Sequence, residues 1–165
     1  MNGQIVVKDA SYQDRIAALM HQLAKLWKTG WAAPRSSGAD WRRHIYRELN
    51  KDADALANRA MDRRASEVWW SPDHLPPFAR LRAYFDGGRR AEDCCSCGWL
   101  LQGMRWSSPA KWHTFATGSI FLAPGTTSVA AELTGLEQVT KAVVSACGDH
   151  GNEQPAERRK VPRLA

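Results

Sequence analysis

The 165-residue chain contains no apolar run approaching the roughly 18–20 residues that a membrane-spanning helix needs. Its first residues, MNGQIVVKDAS, lack a basic stretch followed by an apolar one, so no secretory signal is expected and the chain reads as intracellular. Cysteine is scarce. There are four, with Cys94, Cys95 and Cys97 crowded together and Cys147 apart. Without a secretory signal, a disulfide framework is not expected. The CCxC spacing differs from the CxxC of a zinc knuckle. A zinc site completed by His113 or His150 is conceivable, but small semi-apolar residues on a buried strand account for the cluster better.

Positive charge, by contrast, is in excess. Lys and Arg number 23 against 17 Asp and Glu, a formal charge of +6. The surplus gathers at Arg42, Arg43, Arg63, Arg64, Arg89 and Arg90, and again at Arg158, Arg159 and Lys160. It favours an anionic partner such as nucleic acid without selecting one. The apolar fraction of 44% is enough for a packed core.

Periodicity divides the chain. Tyr12, Ile16, Leu19, Met20, Leu23, Leu26 and Trp27 predict a helix over 11–28, with Ser11 as its cap. A Gly-, Pro- and Ser-rich loop follows, and a short strand is expected over 43–47. Asn50 is placed to cap a second helix over 51–65, whose inner face is Ala53, Leu56, Ala57, Ala60 and Met61. So many alanines imply close packing against a neighbour. Residues 67–79, with three prolines, read as a linker on which Trp69 and Trp70 dock against something. Strands over 80–86, 97–102 and 112–122 form an expected antiparallel meander. A helix over 128–146 carries Val129, Leu133, Leu136, Thr140, Val143 and Val144 inward. Residues 149–165 are polar and Pro-broken, without period, and read as a disordered tail.

Four acids stand out. Asp86 closes the apolar alternation of its strand and precedes Gly87-Gly88. That arrangement brings a phosphate or a metal close to the backbone, or is a plain turn. Glu132 shares a helix flank with Leu136, Val139 and Val143, with Gly135 beside it. A half-buried carboxylate there needs a cation or a donor, and one of the arginines would serve. Asp52 and Asp54 lie on opposite margins of the alanine face of 51–65, and the helical wheel does not choose between them. Both also suit a helix N-terminus on stability grounds alone.

RAYFDGG, CGWLL and TTSVAAELTGLEQV together resemble the first half of the ribonuclease H type-1 fold: an acid on the first strand, a meander, and a glutamate on the first helix. RELNKDADALANRAMD resembles the last helix of the same fold, above all in its plant-like and retroelement-associated branch. The resemblance implies an α/β fold with a mixed sheet flanked by helices. It implies Asp86, Glu132 and Asp54 as catalytic metal ligands, with Asp54 filling the Ala-Asp-x-Leu-Ala slot. It also implies Mg2+ (or Mn2+) as cofactor and an RNA–DNA hybrid, or another nucleic acid, as partner. The implied activity is endonucleolytic hydrolysis of the RNA strand by two-metal-ion catalysis, intact or weakened. Hard cations take carboxylate oxygens, and two close ions need several of them.

The motif order departs from the family. Residues 1–66 resemble its C-terminal portion and residues 80–148 its N-terminal portion. The chain is therefore expected to be either a permuted, incomplete domain or pieces of two tandem domains. The family's fourth-strand aspartate, in a Gly-Asp-Ser setting, has no counterpart except Gly148-Asp149, so Asp149 is carried as a further metal-ligand candidate. That gap keeps open a different class of function: a catalytically degenerate nucleic-acid-binding module or retroelement remnant.

Overall fold

A computed structural model describes residues 10–28, 50–72, 78–91, 93–105 and 108–148. In chain order these form α1 (Ala10–Lys28), α2 (Lys51–Arg63), β1 (Glu67–Trp70), β2 (Phe78–Ala91), β3 (Cys94–Arg105), β4 (Ser108–Leu122) and α3 (Ser128–Gly148). The architecture is α/β, a four-stranded sheet in the order β1-β4-β3-β2 with three helices. All three described pairings are antiparallel, so the expected mixed sheet is not found among the described residues. The connections explain why. β2, β3 and β4 follow one another through short turns, and a short turn can only reverse a strand.

β3 is buried along nearly its whole length, because α2 lies over one face of the sheet and α3 over the other. On the α3 face, Trp99, Leu101, Phe115 and Ala116 pack with Val139, Ala142 and Ala146 into the main core, with Phe85 and Leu136 against it. On the opposite face, the alanine stripe of α2 does what its composition implies. Ala53, Ala57 and Ala60 are almost fully buried, and Ser96 Oγ donates to the Ala57 carbonyl at 2.6 Å. α2 ends at Arg64, which adopts the left-handed conformation at φ 48.

Several expectations are corrected. Residues 67–70 are not linker but an edge strand paired with β4, Trp69 opposite Thr117 and Trp70 opposite Ala116. Trp70 also meets Trp99 edge-on at a centroid distance of 6.4 Å. The prolines that suggested a linker begin only at Pro72, after the strand has ended. Gly87-Gly88 is not a turn, since β2 runs through it and pairs Gly87 with Cys97 and Gly88 with Ser96. Val129 is 56% exposed rather than inward, while Ala131, two residues on, is fully buried against β2. The strand expected over 43–47, its pairing with the meander, and the tail 149–165 lie outside the described residues.

α1 packs along α3 through a partly buried ion pair. Arg15 Nε donates to Glu137 Oε1 at 2.5 Å, and its Nη2 donates to Glu137 Oε2 at 2.9 Å and to Thr134 Oγ1 at 3.1 Å. Burial on both sides makes this fork stronger than an open surface pair. Arg15→Ala should cost about 1 kcal/mol and speed amide exchange in α1 without affecting β3. Equal loss of protection in both elements would show that α1 and the sheet open together.

Candidate functional site

The site begins with a strand register. Asp86 pairs with Gly98, and paired residues of an antiparallel ladder point to the same face. A Cβ on Gly98 would run into the Ala53 carbonyl and the Ala57 amide, so this is the face that α2 occupies. The Asp86 carboxylate is thereby delivered to the first turn of α2. Gly87 does the reverse on the other face. A Cβ there would collide with the backbone of Ala131 and Glu132, so the missing side chain lets α3 settle directly on β2. Gly135 continues that contact, its Cβ position 3.2 Å from the Asp86 carbonyl oxygen. The two glycines around Asp86 thus bring both helices to the same point of one strand.

Asp86 is half-buried, and its Oδ1 accepts the Gly87 amide at 3.0 Å. Burial raises its carboxyl pKa above the ordinary 3.8; the Gly87 bond opposes this, while the charge and hydrogen bonding of Asp54 and the charge of Glu132 add to the rise. Asp54, one turn into α2, is therefore the acid of that helix in contact with Asp86. Asp52 is exposed and takes no part in the shift. Glu132 sits beside them with its backbone against β2 and its side chain exposed. No group of three His, Cys, Asp or Glu side chains is arranged to hold a metal ion among the described residues. Asp149 lies outside them.

An elevated carboxyl pKa means that the folded chain holds the proton more tightly than the unfolded one. The associated stability is complete below 3.8 and is lost as pH rises through the elevated value. In thermal melts without divalent metal, Asp86→Asn should therefore become more stable than the wild type as pH is raised from about 4 to neutrality. A stability gap that does not change with pH would remove Asp86 as the titrating group.

Cys95, Cys97 and Cys147 belong to the core, and Cys94 is half-buried at the start of β3. Cys95 and Cys97 are buried on β3, and Cys95 Sγ donates to the Thr126 carbonyl at 2.8 Å. Burial pushes the thiols of Cys97 and Cys147 up to about 12, which keeps both protonated at neutral pH. No family model, curated protein or solved structure matches the chain.

Of the basic residues that suggested an anionic partner, Arg42, Arg43, Arg158, Arg159 and Lys160 lie outside the described residues, and those described are committed. Arg90 pairs with Asp62 at 2.5 Å and with Asn58 at 2.8 Å, Arg63 with Glu67 at 2.7 Å, and Arg64 with Asp93 at 3.2 Å. Periodicity gave little warning of what stands beside the acids. Asn50 takes the N-cap position of α2, yet its side chain does not cap the helix. Its Nδ2 donates to the Phe85 carbonyl at 2.9 Å, tying the head of α2 to β2 next to Asp86. A cavity of about 70 Å³ opens there, lined by Asn50, Asp52, Arg82, Tyr84 and Gln102 over Ala53 and Leu100. The only sequence signal for it was the alternation that puts Arg82, Tyr84 and Asp86 on one face of their strand.

Proposed function

We propose that the chain is a ribonuclease H-type hydrolase acting on the RNA strand of an RNA–DNA hybrid, with Asp54, Asp86 and Glu132 as its metal-binding acids. The observation that carries this reading is the contact between Asp54 and Asp86, made by two elements that glycines hold close. Two adjoining carboxylates, one half-buried and reluctant to ionise, disfavour each other's charge. A divalent cation relieves that cost, and an all-oxygen donor set suits Mg2+ or Mn2+. Asp54 and Asp86 would hold one ion. Glu132, whose side chain no described residue holds, would turn toward a second. Bound metal would activate water and stabilise the leaving oxygen. The protein's own part is to orient the carboxylates, α2 fixing Asp54 and the Gly87 amide fixing Asp86.

One observation favours the second reading, a nucleic-acid-binding module without turnover. The third carboxylate does not converge with the other two in the described arrangement. A single assay separates the readings: a labelled hybrid incubated with Mg2+ or Mn2+ and resolved by strand. RNA-strand products above a metal-free control support hydrolysis. Retention of intact hybrid on the protein, with no product, supports the module.

A further inference from the structure

We propose that β1 is a self-association edge: two copies of the chain pair β1 with β1, antiparallel, about a two-fold axis through Trp69, and so join their sheets into one. The inference is independent of the hydrolase reading and stands on the opposite edge of the sheet.

Backbone direction comes first. β1 ends the sheet order on its side, and no described strand lies beyond it. In an antiparallel ladder each residue turns its N–H and C=O to one neighbour, and the next residue turns them to the other. The Ser71 amide donates to the Phe115 carbonyl at 2.7 Å, which continues the register of Trp70 with Ala116. Ser71, Trp69 and Glu67 therefore address β4. Val68 and Trp70 direct their N–H and C=O groups outward. The next outward position is Pro72, which has no N–H, so the pairing edge stops there.

The side chains of this strand are as unguarded as its backbone. Of the four large apolar side chains exposed among the described residues, three are Val68, Trp69 and Trp70, at 56%, 47% and 40%. An edge that has to stay single is ordinarily protected by lysine, proline or a bulge within the strand. Glu67–Trp70 has none of these. Its single charge, Glu67, is held by Arg63 at 2.7 Å.

Symmetry selects a second copy as the occupant. The outward groups of Val68 and Trp70 stand evenly on either side of Trp69. The same strand reversed sets Val68 opposite Trp70 of the second copy and Trp70 opposite its Val68, each pair exchanging two hydrogen bonds. Val68 and Trp70 lie on the α3 face: Val68 pairs with Gly118, which the Trp99 ring covers, and Trp70 meets Trp99 edge-on. Trp69 lies on the α2 face. A two-fold axis normal to the sheet keeps each face on its own side, so apolar groups meet apolar groups on both. The two Trp69 side chains stand directly opposite each other, at the pair without hydrogen bonds, where side chains come closest. Glu67 falls opposite Ser71, and no like charges are opposed. Because β1 and β2 are the two ends of the sheet order, the dimer carries its two Asp86 residues on one face, about 34 Å apart at ordinary strand spacing.

Sedimentation equilibrium on the full chain tests this, over about a hundredfold range of concentration centred on the micromolar affinity of a small interface. The wild type should shift with concentration from the 18.4 kDa chain mass to twice that value and stop there. Hydrogen exchange at the Val68 and Trp70 amides should slow as the dimer fills. Val68→Pro removes one outward N–H and leaves the ladder to β4 whole, so it should weaken association about tenfold or more. Trp69→Lys sets two like charges face to face on the axis and should leave a monomer. A wild type that stays monomeric overturns the proposal, whatever the variants do to folding. Growth past the dimer overturns it, since a two-fold contact closes at two copies. Protection of Val68 and Trp70 that ignores concentration also overturns it, because another part of the same chain then covers the edge. Undiminished association of Trp69→Lys places the interface elsewhere and discards β1. Cleavage of a hybrid, or its absence, bears on the hydrolase reading alone.

Discussion

With the chain acting as the proposed hydrolase, Asp86→Asn is expected to reduce metal-dependent cleavage of an RNA–DNA hybrid to background, about 100-fold or more, while the protein remains folded. Asparagine has nearly the same shape as aspartate and keeps an oxygen to accept the Gly87 amide, so strand register and helix packing should persist. What disappears is the negative charge in contact with Asp54. In metal-free buffer at neutral pH this is a gain, since ionised Asp86 is opposed by its burial and by Asp54. In the presence of Mg2+ it would be a loss, because one of the two carboxylates proposed to hold the cation is gone. The two effects give opposite signs in one instrument. Magnesium should raise the melting temperature of the wild type by linkage and leave that of Asp86→Asn unmoved. Cleavage by the variant at wild-type rate would discard Asp86 as a metal ligand. A magnesium shift of equal size in both proteins would place any bound ion elsewhere.

The second large effect is structural. Gly98→Val should destabilise the fold by about 3 kcal/mol, the upper part of the range for overpacking a close-packed core, and lower the melting temperature by about 10 °C. A side chain at Gly98 meets the backbone of Ala53 and Ala57 and the Leu56 Cβ. Backbone atoms inside a hydrogen-bonded helix cannot rotate away as a side-chain tip can, so α2 has to lift from the sheet as a unit. Lifting it exposes the alanine stripe and withdraws Asp54 from Asp86. The pH dependence of Asp86 should therefore weaken in the same variant. Gly88→Ala is the control, because its Cβ would stand at an ordinary 3.5 Å from the Met61 Cε. Near-equal melting temperatures for Gly98→Val and Gly88→Ala would show that α2 is not seated where its alanines place it.

The meander, the alanine-faced helix and the long helix after it were legible in the sequence because each repeats at its own period. Alternation of Leu81 and Phe85 against Arg82, Tyr84 and Asp86 marks a strand wherever that strand pairs. The alanines at 53, 57 and 60 demand a close neighbour whatever that neighbour is. Other features had no local signature. Glu67–Trp70 is exposed at every position, so no burial alternation announced a strand, and it exists because β4 offers an unpaired edge. Gly87-Gly88 has the composition of a turn, and only the ladder to Cys97 and Ser96 keeps it extended.

The choice between Asp52 and Asp54 shows where the division falls. A helical wheel gives the angle between two side chains but not the direction in which the helix faces. That direction was set by Gly98, on another element, which leaves room for Ala53 and Ala57 and so turns Asp54 toward Asp86. The sequence by itself determined which residues can lie on a common face of each helix and strand, since local geometry depends only on near neighbours along the chain. Which faces meet, and hence which carboxylates share a site with the Asn50–Arg82 cavity, was decided by tertiary packing. Contacts between elements depend on strand register and on the room each glycine leaves, and neither is written within any one segment.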